Sequence, residues 1–231
     1  MLTAEQIDQL FAFCRKHSVH YYDVQVELVD HLANALEDKM AAQPAIGFEE
    51  ALKQVYKSFG YAGFGPLVKE KQQAAKRYNR KLLWKIFKEQ WRWPKIVVAL
   101  TIFAGLYTLL QWENKTPARI VAVSGVVIMT LVMMVAVIRL RNLQKRTGKK
   151  FLLVELAGIV NIVLLPVNCF NIINPLLKQS PDWLQSIGAT GSLIMCSLLT
   201  LYMVGAIATC QTIRHIRTVL TKTYPAIFTT A

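Results

Sequence analysis

Carboxylates and an imidazole on one helical face mark the first place where this chain could do chemistry. Asp23, Glu27, Asp30 and Asn34 recur at steps of three and four residues, and His31 follows Glu27 by four. Carboxylate and imidazole at that spacing can hold a divalent metal. The competing reading is a solvated helix face with His17 and His20 in a nearby loop, and that reading is adopted: no metal or other cofactor is expected. The same five residues then become a surface for a protein partner. They lie in Tyr21–Lys39, which carries five carboxylates and one lysine in a chain whose net charge is +13.

A second group of polar residues lies among apolar ones: Glu155, Asn161 and Asn168. Ionisable or amide groups in lipid are costly and mark either helix pairing or a substrate path. Glu155 stands close to Arg146, Lys149 and Lys150, so it reaches the interface or pairs there. The four cysteines (Cys14, Cys169, Cys196, Cys210) make no CxxC, which argues against a zinc cluster or disulfide framework. No nucleotide loop, HExxH or GxSxG occurs, and the chain is not expected to be an enzyme.

The elements that must position these groups follow from hydropathy. Of 231 residues 54% are hydrophobic, and the long apolar runs all come after Lys95. Four runs have near the roughly 20 residues a bilayer requires: 96–112, 120–138, 151–170 and 189–209. Lys and Arg crowd 66–95, 139–150 and the tail 213–231, which puts both termini in the cytoplasm of a multi-pass inner-membrane protein. Thr116-Pro117 suits the start of the second membrane helix. Gly188, Ser192, Cys196 and Thr200 form a small-residue ridge on the fourth run, fit to pack within the bundle or against a second copy. The N-terminus has no secretory-signal pattern.

Residues 1–65 read as a soluble three-helix bundle. Thr3 and Gln6 fit a capping box for a helix over 4–16. The second helix carries Tyr22, Val26, Val29, Ala33, Leu36 and Met40 at helical spacing, widened by Leu28 and Leu32. The third opens at Phe48 with Glu49 and Glu50 in its first turn and stops at Gly60. The order Val26-Glu27-Leu28, Asp30-His31-Leu32, Glu37-Asp38, Phe48-Glu49-Glu50-Ala51-Leu52, Phe59-Gly60 resembles the HAAS-type signalling domain, over about residues 3–70. That resemblance implies a non-catalytic cytoplasmic module ahead of membrane spans, often found alongside PadR-like transcription regulators.

Residues 66–95 form a basic amphipathic connector helix with aromatic anchors. Lys76, Arg77, Arg80, Lys81, Lys85, Lys88 and Arg92 suit anionic lipid headgroups, by roughly 1 kcal/mol for each cation near the surface. Their position directly before a span favours lipid over nucleic acid. The expected fold is therefore all-α: cytoplasmic bundle, connector, then a four-helix membrane domain over 96–212. The expected function is a membrane-anchored regulatory protein whose acidic bundle engages a partner, such as a transcription regulator. The alternative is a small transporter or permease subunit using the polar residues of the third span.

Overall fold

The computed structural model describes residues 1–111, 116–157 and 189–229. Every regular element among them is helical: α1 (Ala4–Lys16), α2 (Tyr22–Ala42), α3 (Phe48–Ser58), α4 (Gly65–Gln90), α5 (Lys95–Leu110), α6 (Thr116–Thr147), α7 (Ala189–Thr223) and α8 (Pro225–Thr229). Residues 152–157 are also helical. The chain divides into two compact units. Unit 1 combines Met1–Tyr78 with Gly148–Glu155, and unit 2 holds Asn79–Thr147 and the chain from Leu156 on.

Unit 1 begins as its sequence suggests. The Thr3 hydroxyl accepts from the Gln6 N–H and the Gln6 amide oxygen accepts from the Thr3 N–H, closing the capping box of α1. α2 packs against both α1 and α3. Because it has neighbours on two sides, its buried stripe is Val24, Gln25, Leu28, Val29, Leu32 and Leu36. That stripe is rotated from the expected one, leaving Tyr22, Val26, Ala33 and Met40 only half-buried. α3 ends where Gly60 takes a left-handed φ of 75°. An aromatic cluster of Phe13, Tyr56, Phe59 and Phe64 closes the bundle, with His17 packed against Phe13 and Tyr56. Gly63 sits so close beneath Tyr56 that a Cβ there would collide with the phenol oxygen. The core also takes in Phe151, Leu152 and Val154, from the far side of α6 in the chain.

Two helices overrun their expected limits. α6 continues through 139–147, past the end of the second apolar run at 138, and α7 continues to Thr223, past the expected tail boundary at 213. Residues 139–147 contain no Gly or Pro, and Leu140 is buried, so nothing stops the helix before Gly148. There a left-handed φ of 63° ends it. The connector stops earlier than expected: α4 ends at Gln90 and α5 starts at Lys95, immediately after Pro94.

Within unit 2, α5, α6 and α7 pack pairwise. Leu106, Ala122, Val126, Cys196 and Leu199 form their common core. Thr130 and Tyr202 share a hydrogen bond of 2.7 Å between α6 and α7, and Gln90 donates to Gln211 at 2.8 Å. The outer faces are apolar. Val98, Ile120, Ile128, Ile194 and Leu198 are each more than half exposed. Left in water, each such side chain forgoes about 1.5–3 kcal/mol of burial.

Two helices among the described residues are long and apolar enough to cross a membrane: Ile120–Thr147, with 28 residues, and Thr190–Thr223, with 34. Lys95–Leu109 is apolar but shorter. Of the third expected span, residues 158–170 lie outside the described residues.

Cys14 is fully buried in unit 1. Burial pushes its thiol from 9.0 up to about 11, against a small opposing pull from Arg15. In a chain whose other cysteines are replaced by alanine, maleimide should therefore modify Cys14 roughly 100-fold more slowly at neutral pH than in the unfolded chain. Equal rates would show the bundle to be open.

Candidate functional site

The site of most interest forms where α2 begins. Its N-cap residue, Tyr21, offers no side-chain oxygen to the helix. The chain Gly148–Glu155 lies alongside instead. Tyr21 and Lys150 form an isolated parallel bridge, and the Tyr22 N–H donates to the Lys150 carbonyl at 2.7 Å. The Lys149 ammonium rests 3.9 Å from the centre of the Tyr22 ring. Phe151 meets the same ring edge-on at 5.9 Å.

Asp23 completes this junction. Both of its carboxylate oxygens accept from the Leu152 N–H, each at 3.1 Å. Residues 152–157 open with Phe151 before them, a side chain that cannot cap a helix. Asp23 thus supplies from 129 residues away the cap this helix lacks locally. A carboxylate is well suited to that place, because helix N-terminal N–H groups carry partial positive charge. Burial pushes the Asp23 carboxyl above its ordinary range, while the N–H groups of Leu152, Val24 and Leu153 pull it down.

The five residues proposed from sequence as a partner surface divide into two sets. Asp23 is occupied by the junction. Glu27 is engaged by Lys71 of α4 in an ion pair. Asp30, His31 and Asn34 are exposed, and Asp38 joins them one turn further on. Glu37 is turned to other use, accepting from the Leu2 N–H at 2.9 Å. His17 sits in the aromatic cluster, away from the exposed His31. Among the described residues no group of three His, Cys, Asp or Glu side chains could hold a metal.

The connector cations Lys76, Arg77, Arg80, Lys81, Lys85, Lys88 and Arg92 are all exposed. Arg80, Lys81, Lys85 and Lys88 surround Trp84 along a shallow groove of about 370 Å³. Trp84, Phe87 and Trp91 form an edge-to-face ladder on this helix. Such an alternation of indoles with cations fits an interface where one end is apolar and the other wet.

Ser192, Cys196 and Thr200 are buried, and Cys196 packs against the core made by α5 and α6. Gly188, Asn161 and Asn168 lie outside the described residues. Glu155 is half-buried and makes no ion pair among the described residues.

Sequence reasoning did not find the junction. Its only local trace is the absence of a capping residue before Leu152.

A folded carboxyl titrating above its unfolded value favours the fold while protonated, and that contribution is lost as pH rises through the folded value. Asp23→Asn has no such loss and keeps one acceptor. Wild type should therefore lose stability relative to Asp23→Asn as pH climbs through the carboxylate range. Asp23→Ala, which strands the capped N–H groups, should cost about 1–2 kcal/mol in thermal unfolding of the solubilised protein. Identical melts for all three would contradict the cap. No protein-family model, curated protein or solved structure matches this chain.

Proposed function

We propose that the chain is a membrane-anchored, non-catalytic regulatory protein whose helical unit 1 works in the cytoplasm and engages a basic protein partner. The observation that carries this reading is the division of labour along α2. Asp23, Glu27 and Glu37 are spent inside unit 1, whereas Asp30, His31, Asn34 and Asp38 remain exposed on one stretch of the helix. An exposed acidic face that the fold does not use for itself suits a positively charged surface, and complementary charge speeds encounter.

The resemblance of residues 3–70 to HAAS-type domains supports the same assignment, with a transcription regulator as the kind of partner it implies. The apolar outer faces of α5, α6 and α7 support embedding in lipid. In this reading the chain crosses four times, using α5, α6, the part of the run 151–170 that follows Glu155, and α7, with both termini cytoplasmic, while 151–155 stay with unit 1. α5 has 16 residues and so rises about 24 Å, short of the roughly 30 Å of a hydrocarbon core. Lys95 and the exposed Trp93 beside it can meet that difference at the headgroups.

Chain continuity suggests how partner binding is passed on. Unit 1 includes Gly148–Glu155, which follows α6 and takes in the first residues of the third apolar run. A partner that stiffens or loosens α2 acts on Asp23, and through it on the start of residues 152–157.

The test is a photo-crosslinking amino acid at Asn34 of the full-length protein in cells. A discrete adduct is expected, and Asp30→Arg with Asp38→Arg should abolish it. The same probe at the fully exposed Tyr61 serves as control. No adduct at position 34, or one indifferent to charge reversal, would contradict the partner surface.

A further inference from the structure

Next to the Asp23 junction, unit 1 holds a cleft of about 660 Å³. Small-molecule sites typically measure about 300–1,000 Å³. Its basic lining comes from three separate stretches: the cations Arg15 at the end of α1 and Lys149 and Lys150 after α6, with the His20 imidazole in the turn before α2. Asp8 is the one carboxylate among the lining residues. Arg15, Lys149 and Lys150 make no ion pair among the described residues.

The rest of the lining is built to hold shape. Phe11 and Tyr22 stack in parallel, centroids 6.0 Å apart. Gln25 is buried, and its amide donates to the Val19 carbonyl at 2.6 Å. Lys149 is held over the Tyr22 ring, a contact that fixes an ammonium without cancelling its charge. Three cations facing one anion in a partly apolar cleft repel one another until a counter-charge arrives. A carboxylate ligand brings one negative charge. A phosphate monoester brings about 1.5–2 near neutral pH, with three acceptor oxygens, which matches the excess here. The arginine suits two of those oxygens at once, and the lysines act as point charges.

We propose that this cleft binds a phosphate monoester, carried by a soluble ester or by a lipid headgroup. The cleft is formed by unit 1 alone. The lipid source alone rests on the membrane reading, since Gly148 follows directly on α6.

Two arms separate these sources, using the full-length protein. In detergent, glycerol 3-phosphate is titrated calorimetrically. In nanodiscs of phosphatidylcholine, with and without phosphatidic acid, thermal unfolding is followed. Arg15→Gln with Lys150→Gln alters two exposed side chains and should leave circular dichroism unchanged. Lys81→Gln with Lys85→Gln on α4 is the control for diffuse attraction. A soluble ester is indicated by glycerol 3-phosphate binding that weakens roughly tenfold or more in the cleft variant and not in the control. A headgroup is indicated by stabilisation with phosphatidic acid alone that the cleft variant loses and the control keeps. Equal behaviour of wild type and cleft variant in both arms, or equal losses in cleft and control variants, overturns the proposal. A protein that stays out of nanodiscs contradicts the membrane reading, and the calorimetric arm then decides the cleft by itself.

Discussion

One carboxylate on the backbone N–H of Leu152 organises unit 1. Residues 152–157 start a helix after Phe151, a position with nothing to offer the free N–H groups of the first turn. Asp23 meets that need from the first turn of α2. Unmet, those N–H groups would be buried beside Phe151 and Leu152, both in the core, and a stranded buried donor costs about 1–3 kcal/mol. The neighbouring contacts depend on the same placement: Tyr22 on the Lys150 carbonyl, Lys149 over Tyr22, and Phe151 against Tyr22. This also explains why a basic chain keeps an acidic helix. Part of its acidic set is used inside unit 1, with Asp23 on Leu152 and Glu27 on Lys71, and only the remainder faces outward.

Local grammar made much of unit 1 readable. Thr3 and Gln6 announced α1 because a capping box is a pattern over four residues. Gly60 announced the end of α3 because only glycine takes its backbone angle cheaply. The facing of α2 was read less well. Periodicity locates a stripe but not the number of neighbours, and α2 packs on both α1 and α3. The basic stretch 139–150 follows the second apolar run, and its charge density implies exposure. Exposure does not forbid a helix, and without Gly or Pro α6 ran on to Gly148. The Asp23–Leu152 pairing was beyond any local pattern, since its partners are 129 residues apart. Similarly, the acidic stripe was visible as a set of residues, but which of them the fold consumes was not.

Unit 2 follows a different physical logic. Among its described residues one core cluster is built around Cys196, Leu199, Leu106, Ala122 and Val126. The small residues Ser192 and Cys196 are turned inward, and Gly125 admits the Met203 methyl, which would lie 2.9 Å from a Cβ there. Close backbone approach of this kind substitutes for a hydrophobic driving force where the surroundings are themselves apolar. Many large aliphatic side chains point outward, Val98, Ile120, Ile128, Ile194 and Leu198 among them. In water that arrangement wastes burial, whereas in hydrocarbon it costs nothing.

The most direct test is amide hydrogen exchange on the full-length protein in nanodiscs, comparing residues 148–155 with α2. If the segment is an integral part of unit 1, its amides are protected and lose protection together with those of α2 as denaturant rises. If 148–155 exchanges at the rate of an open loop while α2 stays protected, Asp23 does not hold it and the account fails.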